Sequence, residues 1–437
     1  MNNTVPYTDM KDSGIKWIGS VPASWNVRTL YQLATRVNNK NTDLSEQNLL
    51  SLSYGKIKRK DINTNDGLLP ASFDGYNIIE AGDIVLRLTD LQNDHTSLRV
   101  GHATERGIIT SAYTTLRPIN PAHSRYLYYL IHAFDLKKGF YGMGSGVRQG
   151  LNYDEVKELR VVLPPQNEQD RIIAYLDSIC DHINSLVESA KSYIEEYLQW
   201  KSTAIYEATT KGLHTDVEMR DSGIKSIGMV PKGWAIPKTL HCLSMAITDG
   251  PHTTPVLYET GVPFVSAEAV SCGNGKIAFD HIRGYISEEF YEECCKKYIP
   301  QIDDVYMIKS GATTGKVAIV DTNIKFTIWS PIAAFRADKN RILPRFLFYA
   351  LQSPSYQTQV QLGWTYGTQQ NIGMRTLETL KICLPPLEEQ AEIVEYLDQK
   401  CGGIDSLIQE KQDLLSDLEQ YKRSLIYETV TGKRKVV

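Results

Sequence analysis

Two stretches of this chain carry apolar residues at alternating steps of four and three. In the first, Ile172, Leu176, Ile179, Ile183, Leu186, Ala190, Tyr193, Tyr197, Trp200 and Ala204 fall on one stripe. In the second, Ile393, Leu397, Ile404, Leu407, Leu414, Leu418, Tyr421 and Leu425 do the same, interrupted by Lys400 and Lys411. A period near 3.5 held over several heptads predicts coiled-coil packing rather than helices laid on a globular core. Each helix runs for about 40 residues, roughly 60 Å at 1.5 Å per residue. Gly212 and Gly432 stand where a C-terminal stop is wanted. Neither stripe can be buried alone. The two helices are therefore expected to pair, and the intervening globular segment makes an antiparallel pair the natural arrangement.

Outside the stripes the pattern shortens. "LRVVL" reads as a strand that Pro164 and Pro165 terminate, because proline removes a ladder donor and holds its predecessor extended. "YNIIEAGDIVLRLTD" and "DDVYMIKSGATTGKVAIVD" are β-branched runs punctuated by Gly and Asp, as strands are. "SRYLYYLIHAF" and "PRFLFYALQS" read as short aromatic helices whose rings serve core packing. The globular parts are thus mixed α/β and strand-rich, and the whole is an α+β protein.

Three blocks occur twice. "MKDSGIKWIGSVPASW" (10–25) returns as "MRDSGIKSIGMVPKGW" (219–234), and "SGVRQGLNYDEVKELRVVLPP" (145–165) as "YGTQQNIGMRTLETLKICLPP" (366–386). "LPPQNEQDRIIAYLD", from Leu163, returns as "LPPLEEQAEIVEYLD", from Leu384, each ahead of a long helix. Repeats at this scale define the architecture. They divide the chain into a globular domain at 1–165, a helix at 166–212, a second globular domain at 213–386 and a second helix at 387–437, related by a pseudo-twofold internal repeat. Between the first and second blocks the halves diverge. One frame carries two different inserts.

Composition adds exclusions. No apolar run reaches the roughly 20 residues of a membrane helix, and the polar N-terminus lacks a secretory pattern. The 7 cysteines are scattered, with no C-x-x-C pair, so neither a zinc site nor a disulfide framework is indicated and a reducing cytoplasm fits. The net charge of −4 is uneven. The segments 166–212 and 387–437 hold more acids than bases, which leaves a mild basic excess in the globular parts, where a local face could meet phosphate.

Catalytic patterns are weak. "GATTGK" is one residue short of a P-loop and is followed by Val317 instead of Ser or Thr, so it lacks the magnesium hydroxyl. "YGMGSG" does not have the dinucleotide-binding spacing, the two Pro-Pro pairs follow Leu rather than the Asp or Asn of an amino-methyltransferase, and the 9 histidines fall in no metal-ligand spacing. A binding protein fits better than an enzyme.

The duplicated LPP-x-x-EQ phrase (Leu163 to Gln169, Leu384 to Gln390), the duplicated SGIK-x-IG-x-VP-x-x-W, "DGPHTTP" at 249–255 and "SGATTGK" at 310–316 together resemble the specificity subunits of Type I restriction–modification systems over nearly the whole chain. The resemblance implies two target-recognition domains, each reading half of a split double-stranded DNA sequence, and two conserved helices that act as spacer and docking surface. It implies two methyltransferase (modification) subunits and ATP-dependent translocase/endonuclease (restriction) subunits as partners. S-adenosylmethionine, ATP and magnesium would sit on those partners, with no cofactor, metal or catalytic residue in this chain. The competing classes are a stand-alone nuclease or methyltransferase with an unrecognised site, and a coiled-coil scaffold that never touches DNA.

Base edges are read by Arg, Lys, Asn and Gln, and thymine methyls by small apolar contacts. In the first half the candidates are Lys56, Lys58, Arg59 and Lys60 of "YGKIKRK", then Arg87, Arg99, Arg148 and Gln149. In the second they are His252, Thr253 and Thr254, then Thr313, Thr314, Lys316, and Thr368, Gln369 and Gln370. Each has a bland counterpart: a solvated strand edge for "KIKRK", a turn-stabilising hydrogen bond for His252, a structural loop for "RQG" and "TQQN". Because the inserts differ, the expected target is asymmetric and bipartite, unlike the palindrome of a symmetric dimer.

Overall fold

The computed structural model describes residues 7–63, 70, 72–94, 96–143, 150–366 and 370–436. The chain forms two compact units, Met1–Ala190 with Gln412–Val437, and Lys191–Lys411. These units do not follow the sequence boundaries at 165, 212 and 386. Each takes part of both long helices into its own body.

In the first unit, strands β1 (Ala34–Arg36), β2 (Ile84–Leu86), β3 (Val100–His102) and β4 (Thr114–Pro118) form an antiparallel sheet in the order β1-β4-β2-β3. Helix α1 (Ser124–Leu136) packs on it, and α2 (Gln166–Lys211) starts in this unit. In the second unit, β5 (Thr248–Asp249), β6 (Val305–Ile308), β7 (Val317–Ile319) and β8 (Ile332–Phe335) form a sheet in the order β5-β8-β6-β7, again antiparallel throughout. Helix α3 (Pro344–Gln352) packs on it, and α4 (Leu387–Val430) starts there. Both sheets have the order first-fourth-second-third, although their strand sequences share little. What they do share is pattern: β2 and β6 are buried along their full length, as inner strands covered on both faces must be.

The repeated opening block forms the same hairpin twice, Met10–Asp12 with Ser20–Pro22 and Met219–Asp221 with Met229–Pro231. In both, the Asp side chain accepts the amide of the glycine two residues on, at 2.9 Å. Gly14 (φ 65°) and Gly223 (φ 73°) occupy the left-handed region that this turn requires. An ion pair on a buried carboxylate also recurs. Asp83, just before β2, takes the Arg117 guanidinium at 2.8 and 2.6 Å, and Asp304, just before β6, takes that of Arg336 at 2.7 Å on each oxygen.

The helices pair antiparallel in each unit. In the first, Ile172, Leu176 and Ile183 share a core with Leu425, Ile426 and Val430, and Ile179 and Leu418 pack at its edge. In the second, Ala204, Ile205 and Ala208 share a core with Ile393, Leu397 and Ile404's neighbour Cys401, and Ile404 is buried too. Nine of the stripe positions, Ile172, Leu176, Ile183, Ala190, Ala204, Ile393, Leu397, Ile404 and Leu425, are buried, and for Ile172, Leu176, Ile183, Ala204, Ile393, Leu397 and Leu425 the sheets and short helices share the covering with the partner helix. Leu186, Leu407 and Leu414 stay exposed. Gly212 (φ 75°) and Gly432 (φ 70°) adopt the left-handed conformation of a helix stop.

Candidate nucleic-acid interface

The repeated phrases turn out to be joinery. In the first unit the Trp25 indole N–H donates to the Glu168 carboxylate at 3.0 Å, and the Tyr7 hydroxyl donates to its other oxygen. In the second the Trp234 indole donates to Glu389 at 2.9 Å. The neighbouring glutamines turn back on their own Pro-Pro turns: Gln169 Nε2 donates to the Pro164 carbonyl and Gln390 Nε2 to that of Pro385, both at 2.8 Å. VP-x-x-W and LPP-x-x-EQ thus lock each globular part to the start of its long helix. Hydrogen bonds to a buried charge contribute roughly 1.5–3 kcal/mol each.

In the first unit the candidate cations lie on a hairpin, Leu50–Ser53 paired with Lys56–Arg59. Its buried residues, Leu50 and Leu52, hold it to the sheet, while Lys56, Lys58 and Lys60 are exposed. Arg59 is exposed but fixed, its Nε reaching the two oxygens of Glu105 at 2.9 and 2.8 Å. Arg87 leans on Asp94 at 3.4 Å. Arg99 is a correction. It is 0% exposed, and all five guanidinium hydrogens are spent internally, on the carbonyls of Arg87, Thr89, Asp90 and Asp94 and on the Tyr141 hydroxyl. An arginine so placed organises the 87–94 loop and has no donor left for a base. Arg148 and Gln149 lie outside the described residues.

In the second unit "DGPHTT" is the exit of β5. Asp249 is 1% exposed and gathers two ammonium groups and an imidazole: Lys297 on Oδ1, and on Oδ2 the Lys309 ammonium at 3.4 Å and the His252 ring at 3.3 Å. Gly250 follows because a Cβ there would stand 1.8 Å from the Ile328 carbonyl oxygen. Thr253 and Thr254 are exposed just beyond. "SGATTGK" joins the antiparallel strands β6 and β7, with Gly315 N donating to Ile308 O at 2.8 Å and Ile308 N to Lys316 O at 2.9 Å. A phosphate loop leads from a strand into a helix; this turn returns to the sheet. Gln370 meets the same turn, its carbonyl accepting Gly311 N at 3.0 Å. Lys309 therefore connects two candidate groups, the Asp249 cluster and the 310–316 turn with Gln370. Thr313 is partly buried in that turn, and Thr314 and Lys316 line a cavity of 370 Å³ with Lys201 and Gln357. Thr368 and Gln369 lie outside the described residues.

Sequence reasoning passed over Lys297 and Lys309. A signal existed: an aspartate at a strand end beside a glycine that admits no side chain is a buried carboxylate, and a buried carboxylate needs cations. Among the described residues no group of three or more His, Cys, Asp or Glu side chains could hold a metal ion. No helix among them is long and apolar enough to cross a membrane. The arrangement offers exposed ammonium groups, an imidazole and polar turns, which is binding chemistry.

The model of the Type I restriction modification DNA specificity domain matches residues 22–196 and 257–416, one copy for each half. The chain belongs to this family. Specificity chains are the non-catalytic DNA-recognition components of restriction–modification systems, and this one carries the family domain twice. It is 25% identical over 435 residues to the putative type I restriction enzyme MjaX specificity subunit of Methanocaldococcus jannaschii, covering 96% of each chain. It is 24% identical over 394 residues to the MjaVIII specificity subunit of the same organism, covering 89% of this chain and 84% of that one. A chain from a solved type I R-M system shares the fold, with a TM-score of 0.65 at 18% identity over 94% of this chain and 98% of that one.

Proposed function

We propose that this specificity chain reads an asymmetric, bipartite double-stranded DNA target, one half-site per unit. We propose too that it docks two methyltransferase subunits in the cytoplasm, and through them the restriction subunits. S-adenosylmethionine, ATP and magnesium belong to those partners in this reading. The observation that carries it is a sheet of one topology presenting two unlike surfaces. The first unit offers Lys56, Lys58 and Lys60 on a hairpin; the second offers Lys297, Lys309 and His252 around a buried carboxylate. Phosphate contacts from such lysines position a protein, while residues that differ between the halves specify sequence.

Duplicated apolar faces support two equal partners. Trp200, Tyr396 and Leu407 are exposed on the helices in the second unit, and Tyr421 and Leu186 hold the matching positions in the first. Trp and Tyr dominate the energetic centres of protein interfaces. The unread gap between half-sites is expected to follow the length of the two helices that both units share, so an inserted heptad should lengthen it. Exchanging residues 240–360 for the same region of a relative should change one half of the methylated sequence and leave the other intact; a change in both halves or in neither defeats the modular reading. A stand-alone enzyme is tested by incubating the purified chain with DNA, magnesium and S-adenosylmethionine, where cutting or methyl transfer would overturn the assignment.

A further inference from the structure

The divergent part of the second half builds a small sheet of its own. Tyr285–Ile286, Val262–Val265 and Thr327–Ile328 lie side by side in that order, the first pair antiparallel and the second parallel. Arg283 stands just ahead of one outer strand and Trp329 just behind the other, and the guanidinium carbon lies 5.6 Å from the centre of the indole. Arg220, Arg336, Arg341 and Arg345 of this unit each donate to a protein carbonyl or carboxylate. Arg283 is exposed and, among the described residues, has no hydrogen bond and no ion pair. Arg375 shares that freedom but lies over no ring.

The backbone around Arg283 is pinned on both sides. Ile282 packs at the edge of the core that holds Val265 and Ile328. The Gly284 carbonyl accepts Phe264 N at 3.2 Å, and Tyr285 exchanges both backbone bonds with Tyr258, at 2.8 and 3.1 Å. Trp329 is equally fixed. Its N–H donates to the Val265 carbonyl and its carbonyl accepts Ile332 N, both at 3.0 Å. The Asp249 group is fastened to the same turn. Pro331 O accepts the Lys309 amide at 2.8 Å, a Cβ on Gly250 would stand 2.8 Å from the Trp329 carbonyl carbon, and Gly250 O receives Lys297 Nζ at 3.5 Å. One turn, 329–332, thus ties an unpaired guanidinium to the two ammonium groups that the proposed function assigns to phosphate.

A guanidinium laid over an indole is held by its face, and its edge, a planar fork of N–H donors, stays available. That fork matches the O6 and N7 acceptors of guanine in the major groove. We propose that Arg283 is a specificity-determining residue of the second unit and reads guanine, donating to O6 and N7, with Trp329 as its platform. This rests on the DNA-reading function proposed above. The lysines beside it set the register, and Arg283, which belongs to the divergent insert, supplies sequence.

The test uses the chain assembled with its methyltransferase. The second half-site is the half that changes when residues 240–360 are exchanged, and it should contain a G·C pair. Replacing that guanine by 7-deazaguanine removes N7 alone and should weaken wild-type binding roughly five- to a hundredfold. Arg283→Ala should bind guanine and 7-deazaguanine equally. Cells carrying it should methylate a sequence relaxed at that one pair, with the first half-site intact and the melting temperature of the protein unchanged. A half-site without a G·C pair, or no 7-deazaguanine penalty in the wild type, overturns the proposal and leaves the reading function standing. So does an Arg283→Ala complex that keeps the penalty while losing affinity for all sequences alike, as a phosphate contact would, or that loses only stability, as a structural contact would. A wild-type complex that binds its methylated sequence no better than scrambled DNA overturns both.

Discussion

Replacing Asp249 by Asn makes the protein less negative, and simple charge counting would then predict tighter DNA binding. The geometry predicts the reverse. The carboxylate is 1% exposed and holds Lys297, Lys309 and His252 together at the end of β5. Lys297 is 49% and His252 74% exposed, so solvent screens their pairs, and only Lys309, at 12%, is largely desolvated. The isosteric amide keeps one acceptor but loses the charge, which should cost the second unit about 1–2 kcal/mol of stability. The effect on DNA is larger in kind. If the two lysines are placed on phosphates by this carboxylate, releasing them removes up to two contacts. Each contact contributes about 0.9 to the slope of log K against log salt. The slope should fall by about 1–2, and affinity at moderate salt by roughly ten- to a hundredfold. The assay is competition binding of the chain, assembled with its methyltransferase, to target DNA across a salt series, with methylated sequence read in parallel. Equal or tighter binding by Asp249→Asn with an unchanged slope would show that the carboxylate does not place those cations on DNA.

Arg99→Lys should destabilise the first unit by about 3 kcal/mol or more in urea, because an ammonium cannot serve five buried acceptor contacts; unchanged stability with weakened DNA binding would return Arg99 to the surface. Trp25→Phe and Trp234→Phe should each cost about 1–3 kcal/mol by removing the indole donor from a helix-start glutamate, read as a lowered denaturation midpoint. Acid should weaken the first unit selectively. His102 and His132 are held neutral when folded but bind protons near pH 6.5 when unfolded, so their contribution is full above about 6.5 and is lost as pH falls from there towards 4. His132→Gln, the residue found at the matching place in α3, should flatten that loss in urea midpoints between pH 7 and 5. Trp200→Ala, at a side chain 51% exposed, should leave the melting temperature in place and weaken retention of the methyltransferase in a pull-down, because its loss is felt at an interface rather than in a core.

Much of this architecture was legible in the sequence because it repeats. The duplicated blocks foretold two units on one plan, and the sheets do share an order; the stripes and the two terminal glycines foretold the helices and their ends. A stripe reports which face is covered, not what covers it. Thus Ile172 and Ile393 lie in cores built largely by sheet and short helix, while Leu407 and Leu414 keep the period and remain exposed. The same limit explains the candidate site. Arg99 has the composition of a reader, but its burial depends on carbonyls 5–12 residues away turning inward. Lys309 looks unremarkable until Asp249, far off in sequence, arrives beside it.

Both members of the Trp–Glu lock belong to the repeated frame, and neither comes from the stretch between. A lineage can therefore reshuffle the interior of either half by crossing over inside the duplicated phrases, and the offspring inherits intact seams. If each half reads its own half-site as proposed, a new sequence preference arises in one genetic event, without waiting for the scaffold to readapt.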